Sequence, residues 1–190
     1  FTLTDGGQPA ERTANALADF IRAAQHTVEI AIYDVRLPDP LAQIVRAAFD
    51  EARSRGVELR VAYNLDCREG QTVPPPPETE PELVESLPFP TVGIPGVPDL
   101  MHHKYVIRDG ASVWTGSTNW TADSWTREEN VVVTVDSQAL AARYLEDFEQ
   151  LWTKRDVAKS GRVDTNPVDG IRPWFCPGRG EKLAHRIAKA

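Results

Sequence analysis

Apolar residues recur along this chain with two different periods, and the switches between them mark out the elements. Between Pro9 and Gln25, the residues Leu17, Phe20, Ile21 and Ala24 fall on one helical face, and the branched run Val28-Glu29-Ile30-Ala31-Ile32-Tyr33 then reads as a strand. A second helix is predicted from Pro38–Pro40 to Gly56, with Leu41, Ile44, Val45 and Phe49 on its buried side, followed by a strand over Val57–Tyr63. Further on, Glu129–Asp136 reads as a strand. Ser137–Lys154 reads as a helix with Leu140, Tyr144, Leu145, Phe148, Leu151 and Trp152 at helical spacing. Helices and strands alternating over short links predict an α/β fold, with a mixed, largely parallel sheet covered by helices on both faces.

Two segments break this rhythm. Residues 74–98 hold nine of the fifteen prolines together with Glu78, Glu80, Glu82 and Glu85. Missing backbone donors exclude a central strand there, so a surface loop with one helical turn near Leu83–Leu87 is predicted. Residues 155–172 are polar and turn-rich and read as a linker after a domain spanning 1–154. Phe175-Cys176-Pro177-Gly178 and the Leu183–Ala190 helix then echo Phe1–Thr4 and Leu17–Ala24, so residues 173–190 are expected to open a second, truncated half.

Between the two patterned regions lies a hairpin. Strands His103–Arg108 and Ala111–Gly116 flank Asp109-Gly110, a dipeptide suited to a two-residue type I′ turn. The simplest register pairs Arg108 with Ala111, Val106 with Val113, Lys104 with Thr115 and His102 with Ser117. His102, Lys104, Ser117 and then Asn119 would share one face, while His103, Tyr105 and Trp114 would point to the other. An imidazole, an ammonium, a hydroxyl and a carboxamide meeting in one place suit an anion held beside a nucleophile or base. No carboxylate cluster accompanies them to hold magnesium or calcium, and a His pair without further ligands makes a poor zinc site, so neither metal nor cofactor is expected. A His next to a Lys at a strand end is ordinarily just a polar sheet face; only the complete spacing carries more than that.

That spacing, HxK(x)4D(x)6GSxN over His102, Lys104, Asp109, Gly116, Ser117 and Asn119, resembles the HKD motif of the phospholipase D superfamily. Trp120-Thr121 and Glu129-Asn130 resemble positions of the branch containing small endonucleases and mitochondrial phospholipase D-like enzymes. The resemblance implies a phospholipase D/nuclease-like half-domain in which His102 forms a covalent phosphohistidine. It also implies that Lys104 and Asn119 bind phosphate, that Ser117 supports them, and that Glu129 orients the imidazole. Asp109 matches the motif Asp, but its place in the hairpin turn gives it a structural role. A second motif His, from a homodimer mate or from the remainder of a longer chain, would protonate the leaving group. The echo in residues 173–190 favours the longer chain.

Charge bears on the substrate. The net charge is −7, and around the motif Lys104, Arg108 and Arg127 are outnumbered by Asp99, Asp109, Asp123, Glu128 and Glu129. A phospholipid head group, hydrolysed or transferred, is therefore expected ahead of nucleic acid. A metal-independent endonuclease and an inactive half-site scaffold are the alternatives. Apolar runs fall well short of a bilayer span. The two cysteines, Cys67 and Cys176, allow at most one bridge, and secreted and cytoplasmic locations are left open.

Overall fold

The computed structural model describes residues 9–67, 69–70, 77–79 and 84–190. It opens with helix α1 (Ala10–Arg22) and strand β1 (Thr27–Ile32). A two-residue strand β2 (Val35–Arg36), helix α2 (Asp39–Ser54) and strand β3 (Glu58–Asn64) follow. Strands β4 (Thr91–Ile94), β5 (Lys104–Arg108), β6 (Ser112–Gly116) and β7 (Trp120–Thr121) lead to a short helix α3 (Ala122–Thr126). The chain ends with β8 (Val132–Asp136), helix α4 (Gln138–Lys154), a 3-10 turn at Val157–Lys159 and helix α5 (Gly180–Ile187).

Six strands form one sheet in the order β4-β3-β1-β5-β6-β8, and β2 and β7 pair separately. The α/β class holds. Within the sheet β3 pairs in parallel with β1 and β4, while the β1–β5, β5–β6 and β6–β8 pairs are antiparallel. Antiparallel pairing thus outweighs the largely parallel expectation: β5 and β6 are joined by the Asp109-Gly110 turn, and β8 returns antiparallel to β6 after the segment that holds β7 and α3.

Alternation along the strands divides the core in two. Val28, Ile30, Ile32, Leu59, Val61 and Val106 pack beneath α1 and α2, while Ala31, Ala62, Tyr105, Ile107 and Val113 pack beneath α4. On α1 the stripe Ala14, Leu17, Ala18 and Ile21 is at most 1 % exposed. Burying such a stripe stabilises by roughly 25 cal/mol per Å² of apolar surface removed from water. Pro40 falls in the first turn of α2, where its missing N–H has no intrahelical partner to lose. Ser137 caps α4, its Oγ accepting from the Leu140 N–H at 3.0 Å.

The hairpin differs from the simplest register by one residue. Asp109 and Gly110 both take positive φ, and the Ala111 N–H donates to the Arg108 carbonyl at 2.9 Å, so the two-residue turn forms. The ladder nevertheless resumes at Arg108–Ser112, followed by Ile107–Val113, Val106–Trp114 and Tyr105–Thr115. Ala111 is an extra residue on β6, a bulge whose carbonyl accepts the Ser137 N–H from the start of α4. Trp114 therefore shares a face with Val106 and packs on Phe20 of α1, instead of pointing away from the Lys104 face.

The proline-rich stretch also contains more order than expected. Strand β4 lies between Pro90 and Pro95 at the sheet edge, where one side needs no donors. The turn near Leu83–Leu87 is seen as helix at Val84 and Glu85, while Leu83 and Pro74–Pro76 fall outside the described residues. Residues 155–172, read as a linker, lie against α4. Val157, Ser160 and Val163 are buried, the Gly161 N–H donates to Asp147 at 3.0 Å, and Arg143 pairs with Asp164 at 2.7 Å. Phe175 joins the core under α4, whereas α5 buries no residue. Phe1–Thr4, the other side of the expected echo, are outside the described residues. Cys67 and Cys176 are both free thiols, and no helix among the described residues is long and apolar enough to cross a membrane.

Candidate active site

The C-terminal ends of β1 and β6 and the N-terminal end of β5 meet at one edge of the sheet, because β5 runs antiparallel to both and pairs Lys104 with Ile32. Tyr33, one residue beyond β1, is buried and forms the floor. The His102 ring stands edge-on to it at 4.5 Å, and the Lys104 Nζ lies 4.7 Å from its centroid. The Lys104 Nζ also donates to the His102 carbonyl at 2.8 Å. The structure thus brings these two motif residues together.

Their electrostatics are set by loss of water. His102 is exposed as a residue, yet its imidazole leans on Tyr33. Desolvation, then the Lys104 charge and then His103, push its pKa down to about 4. The ring is neutral at pH 7 with a lone pair available. Burial pushes Lys104 down to about 7, against the opposing pull of the Asp34 and Glu128 carboxylates. An ammonium so short of solvent gains from an arriving anion more than a surface lysine would.

Loop residues 117–119 are held by pairing outside the main sheet. Val35 pairs with Trp120, and the Trp120 N–H donates to the Asp34 carbonyl at 3.0 Å, which brings Asn119 alongside the end of β1. The Asn119 Oδ1 is buried with no hydrogen-bond partner among the described residues. A buried carbonyl oxygen without a partner costs stability and can meet only a donor, while the Nδ2 of the same carboxamide is the atom able to donate to an anion. Ser117 is engaged differently: its Oγ donates to Asn130 Oδ1 at 2.7 Å and accepts from the Val131 N–H at 3.1 Å. With its proton committed, Ser117 braces the loop rather than donating into the site. At Gly116 a Cβ would overlap the Val131 carbonyl, so only glycine lets the two segments close up.

Two motif residues fall elsewhere. Asp109 sits at the far end of β5 and accepts from the N–H groups of Gln25, His26 and Thr27 at 2.9, 2.7 and 2.9 Å. Burial raises its carboxyl, and those donors outweigh burial and hold it below the usual range. It fixes the entry to β1, as the turn position suggested. Glu129 is exposed, and no hydrogen bond ties it to His102 within the chain. Its neighbour Glu128 instead accepts from Ser124 Oγ at 2.7 Å and Asn130 Nδ2 at 3.1 Å and acts on Lys104.

Sequence reasoning missed Tyr33, Asp34 and Glu128, and named Asn130 only through the resemblance. It also missed Asp147. That carboxylate, with 0 % of its side chain exposed, lies 3.3 Å from His103 Nε2 and accepts from the Tyr105 hydroxyl at 2.9 Å. Burial lowers His103 and raises Asp147, each opposed by the other's charge. A carboxylate beside the apolar positions Tyr144, Phe148 and Leu151 of α4 was the available signal. His103 itself lies against Tyr105 and Phe175, on the face opposite Lys104. Among the described residues no three His, Cys, Asp or Glu side chains are grouped to hold a metal.

A mixed α/β sheet thus presents a histidine, a buried lysine and an asparagine near one strand edge. Residues 17–152 match the family described as cardiolipin synthase, PLD-like domain, and the chain belongs to this phospholipase D-like family. It is 42% identical over 59 residues to the mitochondrial cardiolipin hydrolase of Xenopus tropicalis, which covers 30% of this chain and 28% of that protein. It is 26% identical over 140 residues to a phospholipase D of Rickettsia bellii, covering 74% of this chain and 64% of the relative. The chain thus matches less than two thirds of either relative's length. Its fold is similar to that of Nuc, a phospholipase D family member from Salmonella typhimurium. The TM-score is 0.55 at 23% identity, over 73% of this chain and 85% of that one.

Proposed function

We propose that this chain supplies a phosphodiesterase site in which His102 is the nucleophile. The observation that carries the reading is the pairing of a neutral, desolvated His102 with the buried Lys104 over Tyr33. The imidazole attacks phosphorus, the ester P–O bond breaks, and the leaving oxygen takes a proton from an acid outside this site. Water then adds to the phosphohistidine, cleaving P–N and releasing the monoester and free His102; an alcohol in place of water gives transfer. Lys104 and Asn119 hold the phosphoryl oxygens. The acid is a second motif His, from a homodimer mate or a second half of a longer chain, and Glu129 orients an imidazole from its exposed position.

A phospholipid is the preferred diester. An apolar cleft is lined by Val35, Leu37, Val45 and Phe49 together with Ile32 and Trp120, the sequence neighbours of Tyr33 and Asn119. It offers acyl surface a place beside the site. The test is turnover of bis(p-nitrophenyl) phosphate, phosphatidylcholine and single-stranded DNA side by side. Hydrolysis of the first two with loss in His102→Asn is expected; turnover of DNA alone would overturn the lipid reading, and turnover of none would leave an inactive half.

A further inference from the structure

Resting on the lipid reading above, we propose that α5 and Trp174 form a docking surface for an anionic phospholipid bilayer, set level with the mouth of the His102 site. The argument starts from charge. Between residues 172 and 190, Arg172, Arg179, Lys182, Arg186 and Lys189 are opposed only by Glu181, in a chain whose net charge is −7. This concentration of cations on an otherwise acidic molecule escapes a count made around the motif alone. Of the five, Arg179 is engaged, its Nε donating to the Val163 carbonyl at 2.6 Å. Arg172, Lys182, Arg186 and Lys189 form no ion pair with any described residue, and with Trp174 and His185 they line one open depression.

Helix geometry sorts the rest of α5. Lys182 and Arg186 are four apart, as are Leu183 and Ile187, so a basic stripe runs beside an apolar one. Ile187 is 66 % exposed, the largest exposure among the large apolar residues described, and no residue of α5 is buried. A short helix with cations beside Leu and Ile, next to a half-buried Trp, has the makeup of an element that lies in a membrane interface. There the apolar stripe enters the acyl boundary and the cations meet phosphate.

Trp174 joins this surface to the chemistry. It lines the basic depression and also the neighbouring one, which holds His102, His103, Asp99 and Cys176. A bilayer seated on α5 would therefore present its phosphodiester layer to His102 without the lipid leaving the membrane. The acidic remainder of the molecule would be held away from the anionic surface, so docking also sets orientation.

The test is co-sedimentation of the chain with vesicles of phosphatidylglycerol mixed with phosphatidylcholine, and with vesicles of phosphatidylcholine alone. Diesterase activity on bis(p-nitrophenyl) phosphate is read on the same preparations. Binding is expected to the anionic vesicles only, to fall with rising salt, and to weaken roughly a hundredfold when Lys182, Arg186 and Lys189 are all reversed to Glu. Ile187→Ser should weaken it without changing charge. Equal binding to both vesicle types, indifference to the charge reversal, or tighter binding of a single-stranded oligonucleotide than of anionic vesicles would overturn the proposal. So would self-association through α5 that the reversal abolishes. A chain that cleaves the soluble diester but binds no vesicle refutes docking alone, and a chain that binds vesicles but cleaves no diester even as a dimer or with a complementary half added refutes the phosphodiesterase reading alone.

Discussion

His102 and His103 are adjacent in sequence and opposite in environment, which makes them the sharpest residue-level comparison. His102 meets Tyr33 and Lys104, whereas the half-buried His103 meets Asp147, Tyr105 and Phe175. His102→Asn should lower turnover by roughly four orders of magnitude with the fold intact. His103→Asn should leave chemistry nearly unchanged and lower the melting temperature, because it strands the Asp147 carboxylate. Steady-state kinetics with thermal melts on both variants checks this, and equal losses of turnover would reverse the assignment of faces. Lys104 adds a prediction in pH. Its folded pKa of about 7 lies below its unfolded value, roughly 10.4, so the unfolded chain binds more protons between them and stability rises with pH across that window. The cost of the buried charge is fully present below pH 7. Lys104→Met should therefore stabilise the substrate-free protein near neutrality, by on the order of 4 kcal/mol at most, flatten its pH dependence and abolish phosphate binding. For the unaltered site, kcat/KM should fall below pH about 4 as His102 gains its proton and above pH about 7 as Lys104 loses its own.

At the scale of elements, what could be read in advance was what local pattern determines. Helices α1, α2 and α4 and strands β1 and β3 fall within a few residues of their predicted spans, because an apolar stripe specifies both period and face. The Asp109-Gly110 turn was equally legible, since both positions need positive φ. The bulge at Ala111 was not, because its stabilising partner is the Ser137 N–H, distant in sequence. One inserted residue moved every cross-strand neighbour and brought Trp114 to the other face. His102 and Lys104 still meet over Tyr33 at the strand ends, and the Val35–Trp120 pair, rather than the hairpin register, holds the neighbour of Asn119. Edge strand β4 escaped notice because its flanking prolines suppress the usual signal, and they are harmless only at an edge. Asp109→Ala offers a test at this scale. It removes the acceptor of three backbone N–H groups, so it should cost about 2–4 kcal/mol in denaturant unfolding, while kcat of the folded fraction stays within a few-fold of the parent.

Across the whole molecule, the proposed chemistry lacks one reacting group. It needs a nucleophile and a separate acid, yet the only imidazole facing Tyr33 and Lys104 among the described residues is His102, since His103 faces Asp147 of α4. Glu129, which by resemblance orients an imidazole, is exposed and makes no hydrogen bond to the His102 of its own chain. Both observations are met if a second half packs against this edge, its histidine entering beside Lys104 and Glu129 reaching outward to it. Activity should then depend on association. In sedimentation at graded concentrations, turnover per chain should track the dimeric fraction, or appear only when a complementary half is added, and Glu129→Gln should lower kcat without unfolding the chain. Among the described residues no carboxylates or histidines are grouped to hold a metal, so turnover of the assembled form should survive EDTA. A monomer with full turnover would show that one chain holds both groups, and loss of activity on chelation, restored by magnesium or zinc, would show that the acid is not an imidazole at all.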